Sequence, residues 1–318
     1  MLFYVVKRLA YIAVILWVMS VLIFAITQVL PGNVANIIAG QFATPDVIAA
    51  VERKLGLHDP WPVQYWRWAS GLLKGDLGNS LIMERPIAPL LADAIRRSAV
   101  LAAFSIVLVT LIGIGLGLAA AIRHNRPLDH GVSVFTYVGI SVPEFFWGIV
   151  LILLFVGYFQ WLPSGGYSEI DKGIGAWLGH LILPTATLTF TLIAHVSRLT
   201  RSSMLETLAS QYVKNARAKG LPERVVLVRH ALRNALLPTI TVLAVDVGWL
   251  FGGIVVVETV FSYPGLGRLL IFAIERHDLP LIQGSILIVS AIYCVANLAA
   301  DLLYAYFNPK IRYGRVRA

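Results

Sequence analysis

"LAYIAVILWVMSVLIFAITQVL", residues 9–30, runs for 22 residues without a charged side chain. A helix rises about 1.5 Å per residue, so this run covers a hydrocarbon core about 30 Å thick. Peptide groups inside lipid have no water to bond, and a single apolar run satisfies them only as a helix. Lys7 and Arg8 precede it and Pro31-Gly32 closes it. A cleavable leader has a shorter apolar region, about 7–15 residues, so the run reads as a retained anchor.

Five more apolar runs follow, at 99–122, 132–158, 180–199, 236–257 and 281–305. They account for a chain of 318 residues that is 58% hydrophobic and 14% charged, with a mean hydropathy of +0.77. The expected fold class is an all-α polytopic membrane protein with six transmembrane helices. Residues 1–98 read as the anchor helix plus an extracytoplasmic segment. Residues 99–318 read as a five-helix core with a cytoplasmic loop over 200–235.

Basic residues beside the spans set the expected orientation. With the N-terminus inside, Lys7, Arg8, Arg123, Arg126, the basic cluster over 198–233 and the four basic residues of 310–317 all face the cytoplasm. Only Asp129, Glu206 and Glu223 oppose them there. Six crossings return the C-terminus to the same side. The net charge of +9 is thus a matter of topology, and nucleic acid is not an expected partner. Cys294, the one cysteine, lies in the last span and reads as packing filler.

The long extramembrane segment opens with Thr44 as N-cap, Pro45 in the first turn and Gly56 past the helix end. Trp61, Tyr65, Trp66 and Trp68 then cluster. They suit a helix lying at the outer interface, against lipid headgroups or an outside partner. Gly113/Gly117 and Gly248/Gly252 form GxxxG pairs that read as helix packing. Ionisable groups inside spans are costly and so become candidates for a polar solute path. These are Glu144, near the inner end of the third span, His195 beside the hydroxyls of "TATLTFTL", and Asp246. Asn297 and Asp301 share a face of the sixth.

Catalytic chemistry finds no footing. No Lys follows a Gly, so a phosphate-binding GK[ST] loop is absent, as are HExxH, CxxC and GxSxG. His124 and His130 flank an inner loop without further ligands and read as solvated. The chain is expected to bind no cofactor and no metal.

"VKNARAKGLPERVVLVRHALRNALLP", residues 213–238, is the most charged inner stretch. Residues 201–219 read as a helix that Gly220 ends in a left-handed cap, and Pro222 begins a second helix. Leu221, Val225, Val228 and Leu232 recur there at near-helical spacing, with Arg224 and Arg229 elsewhere around it. Such a helix fits either an anionic lipid surface or a groove in a cytoplasmic partner.

This stretch resembles the inner-face loop of permease subunits of binding-protein-dependent ABC importers. Their motif runs EAA, three residues, Gly, nine residues, I-x-L-P. Ala216, Gly220 and Leu232 match the general form, and "ARAKGL…RHALRNALLP" matches the version of the dipeptide and oligopeptide branch. "LPGNVA", "LGLHDPWPVQYWRW", "GDLGNSL", "VVVETVFSYPGLGRLL" and "NLAADLLYAYFNPKIRYG" carry the resemblance along nearly the whole chain. It implies a type I importer permease in a bacterial cytoplasmic membrane, moving peptides by alternating access. The implied partners are a second homologous permease, two ATP-binding subunits that hold ATP and Mg, and an extracytoplasmic solute-binding protein. It also implies a coupling role for Ala216, Arg217, Ala218, Lys219, Gly220, Leu221, Glu223, Arg224, Val225, Val228, Arg229, Leu232 and Arg233. The same architecture imports nickel chelates or glutathione. A stand-alone secondary carrier, the reading from another class, would have no use for the 200–235 loop.

Overall fold

A computed structural model describes residues 2–29, 44–56 and 58–307. The Pro31-Gly32 stop, "LPGNVA" and the basic residues of 310–317 lie outside these. Eleven helices are named in chain order among the described residues. They are α1 (Leu2–Val29), α2 (Pro45–Leu55), α3 (Trp61–Leu73), α4 (Ile87–Ile122), α5 (Pro127–Ser141) and α6 (Glu144–Tyr158). Then come α7 (Ile174–Ala209), α8 (Gln211–Ala218), α9 (Glu223–Val260), α10 (Leu266–Glu275) and α11 (Leu279–Phe307). Five are long and apolar enough to cross a membrane, and the bent pair α5–α6 makes a sixth crossing if taken as one span.

That pair departs from the straight third span expected over 132–158. α5 and α6 meet at 105° across Val142 (φ −104°, ψ 130°) and Pro143. The proline ring bars its predecessor from helical geometry, so the break falls at the residue before it. The fourth and fifth spans are longer than their apolar runs, because charged ends continue the same helices. Pro184 and Pro238 lie inside them.

The chain divides into two compact units, 1–97 with 264–294 and 98–263 with 295–318. In the first, Ile87, Leu91 and Ala94 pack with Leu266, Ala273, Leu281 and Ile282. Asp278, fully buried, accepts from Ser80 Oγ at 2.5 Å and from the amides of Leu81 and Leu281. One carboxylate thus caps α11 and holds the 78–83 turn. The aromatic helix α3 does not lie alone on a surface. Tyr65 and Trp68 pack on Phe24 of α1, and Tyr65 Oη is 2.9 Å from Ser20 Oγ. Ser20 is nine residues in from the end of α1, about 13 Å along the helix. Gly56 does stand just past the helix end as expected, and it closes the helix in the left-handed conformation, with φ 65°.

In the second unit α7 is the hub. Small residues on its neighbours let it approach closely, as expected for Gly113 and Gly117. A Cβ on Gly117 would lie 2.5 Å from the Ser197 carbonyl oxygen. One on Gly139 would lie 2.7 Å from Ala194 Cβ. The Gly248/Gly252 pair is different, for Gly252 faces open space. Leu101, Leu183, Leu188, Val196, Leu250, Ile254, Val257 and Phe261 form the core around α7. The hydroxyls of "TATLTFTL" serve this packing and do not line a surface. Thr185, Thr187 and Thr189 are buried, and Thr187 and Thr189 donate back to carbonyls of their own helix.

Candidate coupling surface and polar path

The basic stretch is built from the ends of two long helices and the short one between them. The helix expected over 201–219 breaks at Ser210, whose ψ of 152° turns the chain out of α7 and into α8. α8 buries Val213 and Ala216 against Met204, Val226, Ala231 and Ala235. Gly220 then reverses the chain with φ 75°, and Pro222 precedes the first residue of α9. Arg217 donates twice across this turn, from Nε to Glu223 Oε2 at 3.1 Å and from Nη2 to Oε1 at 2.7 Å. The Glu223 carboxylate holds the Arg217 guanidinium above its ordinary pKa, so the clamp stays charged. Asn234 Nδ2 donates to Tyr212 Oη at 2.9 Å, and Ser203 Oγ donates to the Ala235 carbonyl.

The second arm is not a separate hairpin helix. It is the root of α9, which runs unbroken from Glu223 to Val260 with a stretch of π-helix over Val226–Leu232. Its inward face is Val226, Ala231 and Ala235. The Leu221, Val225, Val228, Leu232 stripe therefore looks outward: Leu221 and Val228 are exposed, Val228 by 58%, and Val225 and Leu232 are half-buried. Leu227, Val228 and Leu232 line a groove of about 260 Å³ with Leu118 and Ile122, and Glu223 and Arg224 are at its edge. Ala218, Lys219, Arg229 and Arg233 are exposed around it. An apolar strip flanked by fixed charges has the makings of a docking face.

Two of the three path residues meet. His195 Nδ1 on α7 lies 3.3 Å from the Asp246 carboxylate on α9. Glu144 stands at the start of α6, where its carboxylate covers Gly253; a Cβ there would lie 2.5 Å from Oε1. Gly253 is seven residues beyond Asp246, two turns on the same face of α9 and about 10 Å away. Glu144 is consequently not at the inner end of its span, as expected from the run 132–158. Fifteen residues of α5, about 22 Å, separate it from the end that carries Asp129.

Beside Asp246, this unit buries two carboxylates, Asp129 and Glu258, that sequence reasoning did not single out. Asp129, 1% exposed, accepts from Arg201 Nε and, at 2.9 Å, from Arg201 Nη2. It also takes the Asn125 amide at 2.9 Å, and His124 Nδ1 lies 3.0 Å away. His124, exposed in its loop as expected, is also a partner of this cluster. Glu258, fully buried, accepts from Ser98 Oγ at 2.5 Å. Arg201 is 72 residues from Asp129 and Ser98 is 160 from Glu258, so the sequence around each acid does not show these pairings. Among the described residues no group of three or more His, Cys, Asp or Glu side chains could hold a metal ion.

The comparisons with known proteins span nearly the whole chain. Residues 113–313 match the family described as binding-protein-dependent transport system inner membrane component. Residues 1–104 match the family described as binding-protein-dependent transport system membrane component, N-terminal. A probable peptide ABC transporter permease protein of Sinorhizobium fredii is 38% identical over 98% of this chain and 99% of its own length. Glutathione transport system permease proteins of Salmonella paratyphi A and Escherichia coli K12 are 39% and 40% identical over 98% of this chain and 100% of theirs. In three dimensions the chain is similar to a crystal structure of an amino acid ABC transporter with histidines. That match has a TM-score of 0.52 and 17% identity over 70% of this chain and 94% of the other, and it bears on the fold alone.

Proposed function

The chain belongs to the inner membrane component family of binding-protein-dependent transport systems, and from that premise we propose how it works as the permease subunit of a peptide-type ABC importer. It sits in the bacterial inner membrane as a multi-pass protein with both termini cytoplasmic. It pairs with a second, related permease and with two ATP-binding subunits that hold ATP and Mg. An extracytoplasmic binding protein delivers the solute. Glutathione, itself a small peptide, is the second reading of the cargo, favoured by relatives that match from end to end.

The observation that carries the mechanism is the continuity of α9. The outward apolar strip at its root and the Asp246–Gly253 face share one helix. A displacement imposed on the Gly220 turn by an ATPase is thus carried directly to the His195–Asp246 contact and to Glu144. ATP shifts the inward-open and outward-open states only insofar as the ATPases bind the two differently, and this strip is where that difference acts. His195, Asp246 and Glu144 are the path-lining groups.

The test is to tag the chain in its native host, solubilise it gently, and identify what copurifies. Recovery of a second permease and ATP-hydrolysing subunits is expected. A Leu221→Asp/Val228→Asp variant that still inserts loses the ATPases and keeps the permease partner. An isolated chain, under conditions that keep a control importer whole, would overturn the reading.

A further inference from the structure

Over two turns, α7 carries three basic side chains, His195, Arg198 and Arg201. Two of them are matched within the chain. Arg201 meets the buried Asp129, and His195 meets Asp246. Arg198 is not: among the described residues it has no carboxylate and no hydrogen-bond acceptor. Its guanidinium carbon lies 5.7 Å from the centroid of the Tyr137 ring on α5. A ring face returns about 0.5–2 kcal/mol to a cation, and an arginine in a spanning helix without an anion is costly. None of the described residues supplies that anion.

The surroundings say which side of the helix this is. Exposed positions that meet lipid carry apolar side chains, such as Val107 and Leu111 on α4 or Leu153 on α6. The exposed polar groups recorded at Arg198 are Tyr137, whose ring it covers, and His195 one turn away with Asp246 behind it, while Val134 and Val138 on α5 and Val245 and Trp249 on α9 are exposed as well. His195 is three residues from Arg198, on the same helix face.

We propose that Arg198, backed by the Tyr137 ring and one turn from the His195–Asp246 pair, is an oxyanion-binding station on the solute path that takes the carboxylate of a peptide in transit. The inference rests on the peptide-importer reading. A guanidinium presents parallel N–H groups that match a carboxylate's two oxygens, and every peptide with a free C-terminus brings one. A lipid phosphate offers the same chemistry, so the experiment separates the two sources.

The complete importer is reconstituted in proteoliposomes with its binding protein outside and ATP within. Uptake is compared for a peptide with a free C-terminus and the same peptide as its C-terminal amide, each saturating the binding protein. Arg198→Gln is expected to slow the free acid about tenfold or more, the loss of one charge-assisted contact, and to leave the amide unchanged. Arg198→Lys retains part of the difference. Equal losses for both forms, or none, overturn the station while leaving the importer intact. No peptide uptake by the unaltered complex overturns the importer reading itself, and the station with it. A second measurement bypasses the binding protein: Arg198→Cys in a Cys294→Ser background is expected to react with a charged, membrane-impermeant thiol reagent and to be protected by free-acid peptide. An R198C thiol reached only by a lipid-soluble maleimide places the side chain against lipid and overturns the proposal.

Discussion

Gly220 is the residue on which the coupling surface turns. Its φ of 75° lies in the left-handed region, where a side chain costs about 1–2 kcal/mol and a branched one more. A Cβ there would meet nothing within 4 Å, so the penalty is one of backbone and not of crowding. Gly220→Val is therefore expected to tilt α8 against α9 and abolish ATP-driven uptake while the chain still inserts. Gly220→Asn, which tolerates this conformation, keeps most of the transport. Uptake and ATPase rates in the same vesicles check both, and wild-type uptake by the valine variant would sink the idea. The turn was legible in sequence and came with good warning, because a glycine before Leu-Pro can serve both as a left-handed cap and as a link to a proline-started helix. No such warning attaches to the burial of Asp129 on Arg201, 72 residues away.

Among elements, α7 shows how small residues govern the packing of this bundle. Gly117 and Gly115 are two residues apart and look alike in sequence, yet their surroundings differ. A Cβ at Gly117 runs into the Ser197 carbonyl oxygen at 2.5 Å and Thr200 Cβ at 2.6 Å, whereas at Gly115 it meets open space. Gly117→Leu should push α4 from α7 and destabilise the unit by about 1–3 kcal/mol. Gly115→Ala should stay within about 0.5 kcal/mol. Thermal denaturation in detergent distinguishes them, and equal midpoints for the two variants would contradict this account. The α5–α6 bend is the element least visible in the sequence. Pro143 marks a break, but an uninterrupted apolar run cannot say whether the chain resumes straight or turns by 105°. The angle depends on where α6 finds its neighbours: Gly148 faces Thr187 of α7, and Glu144 covers Gly253 of α9.

For the molecule as a whole, topology is the property that the charge distribution addresses most directly. Asp171, in the short turn of helix before α7, and Lys219, beyond its far end, lie on opposite sides of one spanning helix. In a Cys294→Ser background, Lys219→Cys is expected to react with an impermeant thiol reagent only from the cytoplasmic side, and Asp171→Cys only from the outside. Reaction of both from one side would refute the placement of the Gly220 turn against the ATPases.

What the sequence determined by itself is what depends on composition along one run of chain. Apolar length gave the spans, since the bilayer imposes a fixed thickness. Basic residues at one set of span ends gave the expected orientation, and glycine and proline gave the turns at Gly56 and Gly220. The tertiary structure decided what depends on residues distant in the chain. It brought His195 to Asp246, set Glu144 over Gly253, and buried Asp129 on Arg201, while among the described residues Arg198 meets no carboxylate. It also turned the Val228 stripe outward, because Val226 and Ala231 fill the space beneath α8. Periodicity shows that a helix has an apolar face; only the neighbours show whether that face is used.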